Sequence, residues 1–297
     1  MHGAKTAAGG ESCADNRRKG FLFVHPWPSV CSVVNNPEIS PRIAAAKRAV
    51  LAQTELFLRE FGRAKSELKY DGTRVTAVDL AISANVEREI LAQFPGDQFF
   101  SEETAGPAVV TLRSQFAWVI DPIDGTNNYA AGIPYCAISL ALLEQGSPVY
   151  GVIYDLSRRV LVHGGPGFGV WDGDKSVHVR PDAPGNLSLI GFHSPVDKAH
   201  VAEGKRLIEN FKIRGLGSST LHLTYAAIGI LDGVVDHNNR VWDIAAACAL
   251  CAEAGVDIQY LESQPFPLKE FSAQTPRIQY AAGNPTVVKA LRATIGR

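Results

Sequence analysis

Asp121 and Asp124 sit in the run Trp118-Val119-Ile120-Asp121-Pro122-Ile123-Asp124-Gly125-Thr126-Asn127-Asn128, where two carboxylates and a glycine turn follow an apolar stretch. Residues 116–120 have the aromatic and β-branched composition of a buried strand, and Pro122, which lacks a backbone donor, is expected to end its regular pairing. Carboxylates at a strand exit can share hard divalent cations, while the N–H groups of Gly125 and Thr126 can face an anion. A hard cation beside an anion suggests phosphate chemistry. Asp, Pro, Gly, Thr and Asn also build ordinary turns. Their tight combination after an apolar strand favours a site.

Other acidic positions fall at element boundaries. Glu102-Glu103 lies about twenty residues before Asp121, close enough for a strand-loop-strand arrangement to bring them to one sheet edge. Alone, such a pair reads as a solvated turn. Asp243 opens an alanine-rich helix after Trp242, and Asp79 follows Thr76 at the start of another; each is what a helix cap requires. Capping does not predict acidic clusters at 79, 102, 121–124 and 243, all beside apolar structure, and their coincidence points to a shared cation site.

The elements that must position these residues are legible as periodicity. Ile43, Ala46, Val50, Leu51, Leu56 and Leu58 recur at near-helical spacing, which predicts one long amphipathic helix from Pro41 to Phe61-Gly62. Residues 76–91 predict a second helix, and an apolar stretch follows up to Ser101. Residues 137–143, 149–154, 160–162 and 169–171 predict an antiparallel meander, with 144–148 as a hairpin connection. After a Pro- and Gly-containing linker at 181–186, strands at 187–192 and 213–216 alternate with helices at 200–210, 221–229 and 244–255. Short strands and a closing helix at 285–295 complete the pattern. The expected class is α+β: a loosely ordered extension at 1–38, an α+β half at 39–183 with most of the acidic positions, and an α/β half at 184–297 with Asp243.

At 297 residues, 46% apolar, the chain can bury a large core, and 29 basic against 30 acidic residues give no signal for a nucleic-acid or membrane surface. No apolar stretch reaches the roughly 20 residues of a spanning helix. Arg17-Arg18-Lys19 before Phe21-Leu22-Phe23-Val24 faintly suggests a secretory signal, but His25, Pro26 and Pro28 interrupt it. Five cysteines, at 13, 31, 136, 248 and 251, form no disulfide framework, which fits a reducing cytoplasm. Cys248 and Cys251 lie among alanines and a leucine and read as helix packing.

With these motifs in order, the chain resembles the inositol monophosphatase family of magnesium-dependent, lithium-sensitive phosphatases. The resemblance runs from the helix after Pro41 through Val75-Thr76-Ala77-Val78-Asp79, Ser101-Glu102-Glu103, residues 121–126 and Val241-Trp242-Asp243-Ile244-Ala245-Ala246 to Ala281-Ala282-Gly283-Asn284-Pro285. It implies a layered α/β/α/β/α sandwich, commonly a homodimer, acting as a phosphomonoesterase with two or three Mg2+ ions. On that likeness Glu102, Asp121 and the Ile123 carbonyl hold the first ion, Asp121, Asp124 and Asp243 the second, and Asp79 touches a third. Glu102 and Thr126 would orient and help deprotonate a metal-activated water, and the Gly125 and Thr126 N–H groups would cradle the phosphate.

Residues 214–219 resemble the family segment that contacts a polyol, which puts Gly217 and Ser218 at the substrate. Asp236 takes the place where inositol-selective members commonly carry glutamate; being one methylene shorter, it would shift a hydroxyl contact or pass it through water. His237-Asn238-Asn239-Arg240 departs from the glycine-containing loop usual there, and Arg240 could serve a larger or anionic substrate. Tyr129, where phenylalanine is frequent, is expected to pack beside the loop. The implied substrate is a small phosphorylated polyol, first inositol monophosphate, with fructose 1,6-bisphosphate, phosphoadenosine phosphate and histidinol phosphate as alternatives. A reading of another class is a regulatory protein-binding partner, since some bacterial relatives associate with the transcription machinery. A complete acidic ligand set is needed by catalysis and not by binding.

Overall fold

The computed structural model describes residues 36–69, 72–179 and 181–297. Most of the expected extension at 1–38 thus lies outside the described residues, as do Cys13, Cys31 and the basic and apolar runs near residue 20.

The first helical stretch is two helices, α1 (Ile39–Ala52) and α2 (Thr54–Glu60), where the periodicity predicts one. The break falls where the Thr54 hydroxyl donates to the Leu51 carbonyl at 2.8 Å, taking an acceptor that a continuous helix would use. A ribbon of β1 (Ser66–Leu68) and β2 (Arg74–Thr76) leads into α3 (Ala77–Gln93). Thr76 caps α3, and Asp79 completes the capping box as expected for a cap.

β3 (Gln98–Ser101), β4 (Val110–Thr111), β5 (Phe116–Asp124), α4 (Thr126–Ala131), β6 (Ala137–Glu144), β7 (Ser147–Asp155), β8 (Val160–Gly165), β9 (Gly169–Asp172) and β10 (Lys175–Ser176) follow. Seven of these strands form one sheet in the order β10-β9-β8-β7-β6-β5-β3. The meander from β5 to β10 is antiparallel, as expected, while β3 joins β5 in parallel. Pro122 does not end β5. The strand bulges instead, with Asp121 opposite Ser139 and Asp124 opposite Ala137, so the residue without an N–H sits where the ladder needs none. The hairpin after β6 is tighter than the expected five-residue connection: Glu144 pairs with Ser147, and Gln145 and Gly146 turn the chain with φ of 49° and 82°.

The second sheet contains β11 (Leu189–Phe192), β12 (Lys212–Arg214), β13 (Gly233–Asn239), β14 (Asp257–Tyr260) and β16 (Ile278–Gly283), in the order β12-β11-β13-β16-β14. Between them along the chain lie α5 (Val201–Asn210), α6 (Ser219–Ala227), α7 (Val241–Ala254) and β15 (Glu270–Phe271), and α8 (Pro285–Ile295) closes the chain. β15 pairs back to β4, joining the late chain to the early chain. The expectation of a loop at His237-Asn238-Asn239 is corrected: His237 and Asn239 are buried in β13, whose polar composition hides its central place in the sheet.

Strand alternation sorts the core into layers. From β5, Trp118 and Ile120 pack with α1 and α3, while Ala117 and Val119 face α6 and α7. Val234 and Ala282 of the second sheet cover those same two helices, and its opposite face, with Val235 and Ala281, meets α5 and α8 through Leu207, Val287 and Leu291. The order is α/β/α/β/α, as the resemblance implies. α7 is buried all round from Ile244 to Cys251 because a sheet lies on each side of it. Its close seat on β7 depends on Gly151, where an added Cβ would press into the Ala246 carbonyl, 2.8 Å from its carbon and 3.1 Å from the Ala246 Cα.

One polar tie braces the outer layer. Arg42 donates to both oxygens of Asp97, at 2.9 and 2.7 Å, while Trp118 Nε1 donates to Asp97 at 2.9 Å and Phe94 and Phe116 flank the guanidinium. Asp97→Ala strands a mostly buried cation and an indole N–H; we expect a loss of about 3 kcal/mol in urea unfolding.

Candidate active site

The acidic residues converge from the ends of different elements. Ser101 on β3 lies opposite Ile120 on β5, which sets Glu102 beside Asp121. The bulge in β5 carries Asp121 and Asp124, and Asp243 is the third residue of α7. Carboxylate oxygens of Asp121, Asp124 and Asp243 lie within 4.8 Å of one another.

Their environment opposes the charge they carry. Burial, then the charges of Glu102, Asp124 and Asp243, pushes the Asp121 carboxyl well above its usual value. Burial and Asp124 do the same to Asp243, against an N–H bond from Arg240 at 2.6 Å. Asp124 is raised to about 6 by burial, with the Ser218 hydroxyl and Thr220 amide opposing the rise. Like charges gathered out of water need a countercharge, and an all-oxygen donor set suits a hard divalent cation. The residues present therefore fit a metal of the magnesium class.

α6 stitches this triad together. The Ser218 hydroxyl donates to Asp124 Oδ2, the Thr220 N–H donates to the same oxygen at 2.9 Å, and the Thr220 hydroxyl donates to the Asp243 carbonyl at 2.7 Å. Ser218, expected at the substrate, is thus a direct partner of Asp124. Sequence reasoning missed Thr220. Its only signal was a place in the first turn of a helix behind a glycine.

Asp79 is both a cap and a neighbour of the site. Its Oδ2 accepts from the Thr76 N–H at 2.7 Å and hydroxyl at 2.5 Å, while the Thr126 hydroxyl stands 3.3 Å from Oδ1 and 2.9 Å from the Ile123 carbonyl. Burial raises Asp79 to about 6. Thr126 therefore links Asp79 to the Ile123 carbonyl.

Glu102 stands outside the three-carboxylate cluster, with Lys69 Nζ 2.7 Å from its Oε1 and 2.8 Å from Glu103 Oε1. Burial would lower the Lys69 ammonium, but Glu102 and Glu103 outweigh it and hold it above its usual range. Glu103 is pushed up to about 7 by burial and the Glu102 charge. This lysine carried no sequence signal for a site role, since it lies in an ordinary hairpin.

Two left-handed glycines let the turn at Gly125 dock against the loop at Gly217. A Cβ at Gly125, φ 87°, would come within 2.9 Å of the Tyr135 carbonyl and 3.1 Å of the Gly217 carbonyl. A Cβ at Gly217, φ 72°, would meet Asn128 Nδ2 at 2.8 Å. Asn128, which sequence reasoning also missed, donates to the Tyr135 and Leu216 carbonyls, both at 2.7 Å.

Asp236 is not at the surface of this cluster. It is fully buried in β13, accepting from the Asn238 N–H at 2.9 Å and the Ser219 hydroxyl at 3.3 Å, with His193 and His222 on either side. Burial would raise its carboxyl, but the two imidazoles and the Asn238 amide hold it below its usual value. The Arg240 guanidinium donates to the Thr275 carbonyl, a bond that braces the start of α7. Tyr129 packs as expected, stacked 5.0 Å from Phe57 with its hydroxyl donating to the Phe57 carbonyl. Cys248 and Cys251 are buried packing residues of α7 with free thiols.

The five-layered fold with buried carboxylates at a strand bulge defines a class, and comparison with known proteins gives its identity. The sequence model of the Inositol monophosphatase family matches residues 36–294. A protein described as a probable inositol 1-monophosphatase from Mycobacterium tuberculosis is 34% identical over 267 residues, covering 85% of this chain and 92% of that protein. A fructose-1,6-bisphosphatase from Pyrococcus furiosus is 35% identical over 167 residues, covering 55% of this chain and 62% of that protein. The crystal structure of extragenic suppressor protein suhB from Bartonella henselae superposes with a TM-score of 0.76 at 26% identity, covering 86% of this chain and 99% of that one. The chain belongs to the inositol monophosphatase family, and its activity is that of a phosphatase hydrolysing phosphomonoesters. Family members act on phosphorylated metabolites. Among the described residues, no helix is long and apolar enough to cross a membrane.

Proposed function

We propose that the chain is a magnesium-dependent phosphatase of a small phosphorylated polyol, with inositol monophosphate as its substrate. The observation that carries this reading is the triad of Asp121 and Asp124, both buried, and the half-buried Asp243, whose mutual repulsion a divalent cation would relieve. Asp121, Asp124, Asp243, Glu102 and the Ile123 carbonyl would hold two ions, with Asp79 beside a third position. When bound, such ions supply a Lewis acid for the ester and a water of lowered pKa.

The chain's own groups then do the positioning. The Thr126 hydroxyl, which donates to the Ile123 carbonyl and stands 3.3 Å from Asp79 Oδ1, can pass a proton to the Asp79 carboxylate, and Glu102 would serve as the second base. The backbone of Gly125 and Thr126 receives the phosphate oxygens, and Gly217 lets the neighbouring loop approach without a side chain in the way. Thr126→Ala is expected to lower kcat about 100-fold with little change in KM, as removal of a group that moves a proton does.

The test is phosphate release from a panel of inositol phosphates, fructose 1,6-bisphosphate, phosphoadenosine phosphate and histidinol phosphate, with and without magnesium and lithium. Inositol monophosphate turned over at least tenfold faster than the others, only with magnesium, is the expected result. Faster release from fructose 1,6-bisphosphate would favour a second reading, which rests on the similarity to the Pyrococcus furiosus enzyme. No release from any ester would favour the protein-binding role. Lithium inhibition, a homodimer and a cytoplasmic location belong to the same proposal; the first two rest on the family resemblance and the third on the scattered cysteines.

A further inference from the structure

The buried imidazole of His222 holds a bond that fixes its tautomer. The Leu216 N–H donates to His222 Nε2 at 2.9 Å, so Nε2 carries a lone pair and the neutral ring has its proton on Nδ1. Nδ1 has no hydrogen-bond partner and faces Asp236 Oδ2 at 3.8 Å, too long for a hydrogen bond but an attractive N–H to carboxylate contact in a site closed to water. His222 is 1% exposed and Asp236 0%. The space for the ring is built in: a Cβ at Gly191 would stand 3.2 Å from the ring carbons Cγ and Cδ2.

The bond made by Nε2 leads back to the triad. Leu216 begins the loop in which Gly217 passes behind Gly125 and Ser218 donates to Asp124, and the Leu216 carbonyl is held by Asn128. The two ring nitrogens of His222 therefore face Asp236 on one side and this loop on the other.

We propose that His222 is a positioning residue, oriented as its Nδ1–H tautomer by Asp236, which locks residues 216–218 so that Ser218 holds Asp124 in place. Asp236 then acts on the reaction through His222, and not by touching the polyol. This rests on the reading of Asp124 as part of the active site, and it deepens that reading. His193, whose Nδ1 lies 3.7 Å from the other Asp236 oxygen, the Ser219 hydroxyl and the Asn238 N–H complete the surroundings of the carboxylate.

Ring nitrogen NMR of the full chain without substrate is expected to show His222 protonated on Nδ1 and bare on Nε2, and Asp236→Asn is expected to mix the two tautomers. His222→Leu should speed hydrogen exchange at the Leu216 amide about tenfold or more and lower kcat about tenfold with KM within about twofold. His222→Gln, whose Oε1 can accept the Leu216 N–H, should restore slow exchange and most of kcat. A wild-type ring protonated on Nε2, or Leu216 exchange unchanged in both variants, overturns the proposal. So does an Asp236→Asn protein that loses only KM while its tautomer stays fixed, the mark of direct substrate contact. If His222→Leu fails to fold, the wild-type tautomer and the glutamine variant still decide. Tautomer and exchange are read without substrate, so a wrong choice of ester in the panel leaves them untouched.

Discussion

Asp121→Asn is expected to reduce magnesium-dependent phosphate release about 1000-fold while making the metal-free protein more stable. The activity loss corresponds to about 4 kcal/mol of transition-state stabilisation and follows, on the proposed function, from replacing the central anionic group of the triad by a neutral one of the same shape. The stability gain has the opposite origin. In the metal-free protein Asp121 is a buried charge facing Glu102, Asp124 and Asp243, and its carboxyl is raised for that reason. A group whose folded pKa lies above its unfolded value takes up protons preferentially in the folded state, so wild-type stability from this cluster rises as pH falls. The variant should unfold at a higher urea midpoint in chelator at pH 8. That advantage should shrink as pH falls from the raised range of the Asp121 carboxyl toward the ordinary carboxylate range near 3.8. Adding magnesium should reverse the order, because only the wild type gains fully from the ion. Equal thermal stability of the two proteins in chelator at pH 8 would sink the account of a frustrated cluster.

Gly151→Ala should be nearly as damaging, though Gly151 lies in the middle of β7 and outside the acidic triad. Its added methyl must enter the space of the Ala246 carbonyl, a backbone group that cannot turn aside as a side chain would. Either β7 or α7 has to move. Overpacking of this kind costs about 3 kcal/mol in unfolding free energy. α7 also carries Asp243 from its first turn, so displacement of the helix should loosen the triad as well. The expected signature is a lowered denaturation midpoint together with weaker magnesium binding by calorimetry. A destabilised protein with unchanged magnesium affinity would show that the first turn of α7 is held by Arg240 and Thr220 alone.

What the sequence made legible was what neighbouring residues decide. α8 begins at Pro285 behind the Asn284 cap and ends before Gly296, all local signals. The Asp121-to-Thr126 segment was recognisable because its glycine, its proline and its carboxylates are adjacent. β13 was hidden because tertiary packing overrides its polar composition: Asp236, His237 and Asn239 are buried in the middle of a sheet. Lys69, Thr220 and His222 were illegible for a related reason. Their partners lie 33, 96 and 6 residues away, and only folding puts the loops that carry them side by side.

The placement of α7 between two sheets also sets an order of events during synthesis. The face of the first sheet lined by Ala117, Val119, Ala141, Ile153 and Val162 leaves the ribosome well before the helix that will cover it, at 241–254. For the time needed to make roughly eighty further residues, at about 5–20 residues per second, the nascent chain carries a bare apolar strip. Asp121 and Asp124 flank that strip through the same interval without Asp243. The step that hides the apolar face is also the step that assembles the acidic triad, so a newly made molecule passes from sticky and incomplete to covered and complete in one docking event.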